Sequence, residues 1–348
     1  ASAASAAAPA RVRRPPPDWR LVVDAPSDLK SLLQNYLDVA RYHAELISHN
    51  GEDAADSTQI TISRSELRRL VAAMPDQARS LIEAQGYFAS TITTSVTDEV
   101  EGQPIVITLK VEPGEVTRVT QFQLVFEGEL DVQMSKGDAA AEALAAELHA
   151  QWALPAGDVF RQDTWSAAKN AMLAQLRAQG YPLASWSGAA ATVDAQTNTA
   201  RLFVVADSGP AFHFGRVLIE GLNRQSPSSI LNVSPFGKGE LVREKELLDF
   251  QERIQKLDLF DNVFVTLNPD PTQADAAAVT VQVRELPLQQ ATLGIGASSD
   301  TGPRVSAEHL HRHVFDSDWQ SKLKLQLGRE TSSFQTDLTS GPQQGRRR

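Results

Sequence analysis

Between residues 18 and 286 the spacing of apolar positions switches between a helical and a strand period, and the switch recurs in one order. Leu144, Leu148 and Trp152 fall at i, i+4, i+8, and Trp165, Ala168, Met172 and Leu176 at i, i+3, i+7, i+11. Each set draws one apolar stripe along a helix. Leu247, Phe250, Ile254 and Leu257 repeat the stripe downstream; upstream, Leu29, Leu32, Tyr36 and Leu37 and then Leu67, Leu70 and Val71 predict two more helices, with Ser63 and Glu66 as a capping box before the second. In between, the period falls to two. Ile92, Thr94 and Val96 share one face of a strand, as do Val263, Val265 and Leu267.

Three landmarks mark this recurrence as an internal repeat. A strand ending in Glu-Gly runs from Phe122 to Gly128 and again from Arg216 to Gly221, the glycines lying 93 residues apart. A helix end runs into a glycine in Leu81-Ile82-Glu83-Ala84-Gln85-Gly86-Tyr87-Phe88 and in Leu176-Arg177-Ala178-Gln179-Gly180-Tyr181-Pro182, 94 residues on. Glycine there supplies the left-handed residue that stops a helix. A looser copy, Ile254 to Val263, puts Asp258 in the glycine's place after a shorter interval of 78 residues. Finally, an apolar strand closes each repeat: Ile105 to Val111, Ala200 to Val205 and Ala278 to Val283, each before a Gly or Pro turn signal. The order per repeat is strand, helix, helix, strand, strand, which buries one sheet face under two helices. The opening strand Leu21 to Asp24 lacks the Glu-Gly, and the small residues Ser187 to Ala191 predict a weak strand.

From Gln289 onward only the two-residue period remains. Leu293, Ile295 and Ala297 alternate with Thr292, Gly294 and Gly296, Asp300-Thr301-Gly302-Pro303 predicts a turn, and Trp319, Ser321, Leu323, Leu325 and Leu327 alternate with Gln320, Lys322, Lys324, Gln326 and Gly328. One apolar and one polar face suit either a half-buried antiparallel sheet or a transmembrane barrel strand. Residues 287–340 hold about three or four strands of ~10 residues, short of the eight a closed membrane barrel needs, so a barrel begun here would be truncated.

Composition narrows the function classes. A chain of 348 residues carries a prior of about two to four domains. No window approaches the ~18 apolar residues of a membrane helix. With 33 Lys plus Arg against 43 Asp plus Glu, the net charge of −10 repels phosphate backbones and argues against nucleic acid. The absence of Cys removes thiolate chemistry, disulfides and thiolate zinc sites. Ala1 to Ala10, Arg11, Arg13, Arg14 and Pro15 to Pro17 predict a disordered leader.

Little else suggests chemistry. His309, His311 and His313 share one strand face, a spacing that offers metal ligands, but the nearest carboxylate, Glu308, is on the opposite face and polar residues lining a barrel interior explain the trio equally well. Gly294-x-Gly296 lacks the third glycine and the helix of a dinucleotide site. Asp249 with Glu252, and Asp258 with Asp261, sit where solvation or capping explains them. No nucleophile motif, catalytic residue, metal site or cofactor is predicted; the chain reads as a non-enzyme.

The β-α-α-β-β order, with Glu-Gly after the first strand and Gly-Tyr-Phe after the second helix, resembles the POTRA domain. Gly294-Ile295-Gly296 through Arg304, directly after a third such repeat, resembles the barrel start of the Omp85 superfamily, and three repeats are similar in number to its TamA-like branch, the translocation and assembly module. The resemblance implies an α+β protein with a leader at 1–17, POTRA-like repeats at 18–114, 115–209 and 210–286, barrel strands at 287–340 and a tail at 341–348. It implies an outer-membrane assembly factor with its arm in the periplasm. The clients would be unfolded outer-membrane or autotransporter proteins, and the partner a TamB-like protein anchored in the inner membrane. A two-partner secretion transporter and a barrel-less periplasmic scaffold are the rival readings. A three-stranded sheet backed by helices leaves an edge with unpaired N–H and C=O groups that can accept an extended client. With the family's second strand at the edge, the accepting strands are 91–96, 184–193 and 262–268, and the candidate partner-binding residues are Ile92, Thr94, Val96, Val263, Val265 and Leu267.

Overall fold

The computed structural model describes residues 18–49, 62–97, 100, 103–298, 302–314, 319–329 and 332–340. The leader, the tail and the Asp300-Thr301 part of the expected turn lie outside the described residues. The chain forms two compact units. One comprises the described residues up to 123 with 152–170 and 189–204; the other comprises 124–151, 171–188 and the described residues from 205 on.

The first repeat opens with β1 (Trp19–Asp24), continues through α1 (Ser27–Tyr36), α2 (Asp38–His49) and α3 (Arg64–Ala84), and closes with β2 (Thr91–Val96) and β3 (Ile105–Glu112). Its sheet has the order β1-β3-β2, with β1 parallel and β2 antiparallel to the central strand. The helices make the crossover that a parallel pair requires. Leu33, Leu37, Met74, Ala78 and Ile82 pack on Ile107, Leu109 and Val111 to form the core.

The second repeat runs β4 (Arg118–Glu127), α4 (Glu129–Ser135), α5 (Ala139–Ala150), α6 (Gln162–Ala178), β5 (Ser185–Asp194) and β6 (Thr199–Asp207), with strand order β4-β6-β5. The third runs β7 (Phe214–Glu220), α7 (Pro227–Leu231), α8 (Glu244–Gln255), β8 (Phe260–Leu267), a 3-10 turn (Pro271–Ala276) and β9 (Ala277–Glu285), ordered β7-β9-β8. Its core is aromatic: Phe214 stacks on Phe236 at 3.7 Å, and Phe236 meets Phe250 edge-on at 5.3 Å. A four-stranded antiparallel sheet follows, β10 (Gln289–Ser298), β11 (Gly302–Val314), β12 (Trp319–Gly328) and β13 (Ser332–Thr339), open at β10 and β13. The fold is α+β: a strand, two or three helices and two further strands recur three times, followed by a sheet not closed into a barrel.

Several local expectations are corrected. The helical segment after β1 is broken at Leu37, whose extended backbone (ψ 133°) ends α1 and turns Val39 and Ala40 inward. The buried stripe is therefore Leu29, Leu33 and Leu37, while Tyr36 stays 63% exposed. An extra short helix, α4, precedes α5. Gly137 (φ 78°) separates the two, and the Asp138 carboxylate caps α5 by accepting from the Ala140 and Ala141 amides. The capping box is half made: Ser63 Oγ accepts from the Glu66 amide at 3.1 Å, but the Glu66 carboxylate turns to Arg69. Two expected strands are present: Ser187 to Ala191 lies within the second repeat's β5, and β1 forms a full parallel ladder with β3 despite its missing Glu-Gly.

The Glu-Gly landmark has a steric cause. Gly128 and Gly221 hold φ of 82° and 90°, and a Cβ on Gly221 would stand 2.0 Å from the Val283 carbonyl oxygen. Past Gly221 the chain offers the amides of Asn223, Arg224 and Gln225 to one carboxylate, Glu285, at the end of β9. Burial alone would push Glu285 upward, but these amides, helped by the charge of Arg224, hold it below the usual carboxylate range.

Candidate edge strands and docking turns

Each repeat leaves its second strand at a sheet edge, since β2, β5 and β8 are terminal in their sheets, opposite the first strands β1, β4 and β7. Along an antiparallel strand, residues alternate between turning their main-chain groups to the partner and turning them away. The Thr97 amide donates inward to Val106, so Ser95 and Thr93 also turn inward by the two-residue count, and the main chain of Ile92, Thr94 and Val96 faces the open edge. Asn268 donates inward to Ala278 in the third repeat, which turns Val263, Val265 and Leu267 outward by the same count.

The side chains of these residues have another task. Ile92 packs on the first core, and Val263, Val265 and Leu267 belong to or pack on the third; Thr94 is half-buried and Val96 exposed. What the edges offer a partner is therefore main chain, flanked by outward side chains such as Thr93 and Phe264. The third edge is not bare. Gln251 on α8 accepts from the Val265 amide at 3.2 Å, standing in for the carbonyl oxygen of an added strand. No sequence signal marked Gln251, because it lies off the apolar stripe of α8 and its role depends on the register of β8.

The helix-end glycines are docking turns. Gly86 (φ 95°) accepts from the Thr117 amide at 2.8 Å, and Thr117 in turn accepts from the Phe160 amide at 2.9 Å. Within the other compact unit, Gly180 (φ 109°) accepts from the Phe212 amide at 2.9 Å, and Phe212 accepts from the Val242 amide at 2.8 Å. In both, a residue one or two positions before the next repeat's opening strand bridges the preceding turn and the start of its own repeat's last helix. Glycine is required twice, for the left-handed φ and because a Cβ would sit 2.4 Å from the Phe160 oxygen at Gly86 and 2.7 Å from Leu241 Cγ at Gly180. Beside the second turn, burial first, and then the charges of Glu129 and Asp138, push the Tyr181 hydroxyl up to about 12; it donates to Gln133.

In the four-stranded sheet, directly opposed residues share a face. Leu293 and Ile295 lie across from Ala307 and Val305, which lie across from Leu325 and Leu327, and Leu325 lies across from Phe334. This face is apolar and exposed; the reverse carries Arg304, Glu308, Lys322 and Lys324. The histidines correct an expectation. His309 is opposite Ala291 and Leu323, and His311 opposite Gln289 and Ser321, so both belong to the apolar side near its margin and not to the polar one. The His313 side chain lies outside the described residues. Among the described residues no group of three or more His, Asp or Glu is placed to hold a metal ion.

No protein-family model matches the chain. Among solved structures it is similar to BamA from Haemophilus ducreyi lacking POTRA domains 1-3 (14% identity, 61% of this chain and 37% of that one, TM-score 0.48). It is similar to Haemophilus influenzae BamA POTRA3-5 (17% identity, 78% of this chain and 96% of that one, TM-score 0.37). It is also similar to CdiB from Acinetobacter baumannii (14% identity, 64% of this chain and 41% of that one, TM-score 0.37). The chain thus spans less than half the length of the first and third of these.

Proposed function

We propose that this chain is the periplasmic arm and first membrane strands of an Omp85-type outer-membrane assembly factor of the TamA-like branch. Three repeats with the boundaries 18–114, 115–209 and 210–286 form the arm. The reading is carried by one juxtaposition: three sheets, each ending in an edge strand, precede a sheet whose exposed face is apolar. An edge strand accepts a client through main-chain hydrogen bonds, which tolerate many sequences, and an apolar sheet face suits lipid. The clients are unfolded outer-membrane or autotransporter proteins, the periplasmic partner is TamB-like, and Ile92, Thr94, Val96, Val263, Val265 and Leu267 supply the accepting main chain, the Val265 amide once Gln251 releases it.

Hydrogen exchange of the full chain with an alternating apolar-polar peptide, taken from the last strand of a barrel protein, tests the capture step. Protection should appear in residues 91–96, 185–194 or 260–267. Val96→Pro, which deletes an outward N–H without cutting the ladder to β3, should weaken protection of the first edge alone. A bound peptide that protects other segments, or no binding at all, would remove the mechanism.

A further inference from the structure

The two docking turns have a third counterpart at a junction of a different kind. Asp258 takes the place of Gly86 and Gly180, holds the same left-handed backbone at φ 55°, and is followed not by another repeat but by the four-stranded sheet. Its carbonyl oxygen is again an acceptor. The donor is now a side chain: Arg312 Nε on β11, at 2.9 Å. The same guanidinium donates from Nη1 to the Pro287 carbonyl at 2.9 Å and from Nη2 to Gln290 Oε1 at 3.0 Å, and Gln320 Nε2 on β12 donates to the Leu257 carbonyl at 2.9 Å.

Arg312 is only 3% exposed. A buried guanidinium is costly unless its donors find acceptors, and its planar fork matches oxygens fixed in different directions as an ammonium does not. Here three oxygens, from the turn after α8, the link after β9 and β10, converge on that fork. Beside them Asp258, Leu310, Gln320, Lys322 and Asp337 line a cavity of about 500 Å³. The junction is thus held at a few polar points, with open space next to them.

We infer that Arg312 is the positioning residue that fixes the third repeat on the sheet, doing with a side chain what backbone amides do at Gly86 and Gly180. Gln320 is its auxiliary. The two earlier turns are docked by main-chain amides, which only a proline would remove, whereas this junction is held by side chains, chiefly one guanidinium. It is therefore the place where arm and sheet come apart most readily. The inference stands whether or not the edges bind clients.

Because the chain has no Cys, introduced pairs label uniquely. Spin labels at Lys245→Cys and Ser333→Cys report the distance from third repeat to sheet in the full chain in detergent micelles, and a pair at Lys245→Cys and Thr266→Cys reports the interior of the repeat. With Arg312 present the first pair should give one narrow distance. Arg312→Met, which keeps apolar volume, should spread it at least twofold or add a second population while the interior pair is unchanged, and Arg312→Lys should recover part of the narrowing. An Arg312→Met distribution identical to the parent overturns the assignment. Should Arg312→Met disturb the interior pair as well, Gln320→Ala decides: a broader repeat-to-sheet distance alone supports the latch, and no change overturns it.

Discussion

Strands β9 and β10 follow one another along the chain with the same alternation of apolar and polar residues, yet they meet opposite surroundings. In β9, Val279, Val281 and Val283 are 1%, 0% and 8% exposed beneath α8 and the aromatic core; in β10, Leu293 and Ile295 are 81% and 90% exposed. Alternation states that a strand has an apolar face. It does not state what covers that face, which depends on whether a helix of the same chain is there to do so. The arm supplies its own cover, and the sheet offers its apolar side outward.

The largest way to break that contrast is to cut equal chemistry from both sides. Phe250→Ala in the third core should cost about 3 to 5 kcal/mol in urea unfolding of the arm, whereas Ile295→Ala should leave arm stability unchanged and lower partition of the chain into lipid vesicles. Equal losses in arm stability would mean that the sheet's apolar face is buried against the arm in solution.

A smaller effect is expected at the docking turns. Gly86→Ala combines a left-handed φ with a Cβ 2.4 Å from a backbone oxygen; strain of about 1 to 3 kcal/mol should appear as a lower denaturation midpoint. Asp258→Gly, at the same place in the third repeat, should be neutral or slightly stabilising because it keeps the carbonyl and relieves the φ. A neutral Gly86→Ala would show that the turn is not docked.

The smallest effect is pH-dependent. Glu285 is held below its ordinary value, so its contribution is present above the unfolded carboxylate pKa of about 4.3 and lost as pH falls through the lower folded value. Glu285→Gln should lower stability at pH 7 by about 1 kcal/mol, since solvent screens a carboxylate that is only partly buried, and should flatten the acid side of the profile of melting temperature against pH. An unchanged acid slope in the variant would assign that slope to other carboxylates.

Much of the arm was legible in the residues themselves. Gly86, Gly180 and Asp258 mark left-handed helix ends because few residues tolerate positive φ, and Trp165, Ala168, Met172 and Leu176 mark a buried stripe because 3.6 residues per turn fixes which positions share a face. The break at Leu37 and the exposure of Tyr36 were not legible, since either register of the stripe is apolar and only packing on β3 chooses between them. Nor was the side of His309 and His311, which follows from the pairing of β11 with β10 and β12.

The sequence by itself determined the local conformations: where helices end, which faces are apolar, and that one order of elements recurs. Only the tertiary structure decided which main-chain groups remain at an edge, that Gln251 occupies the Val265 amide, and that Arg312 reaches the Asp258 carbonyl. The physical reason is range. Backbone sterics and side-chain period act between near neighbours, while an edge, a guard and a latch exist only once residues 14 and 54 positions apart are brought within hydrogen-bond distance.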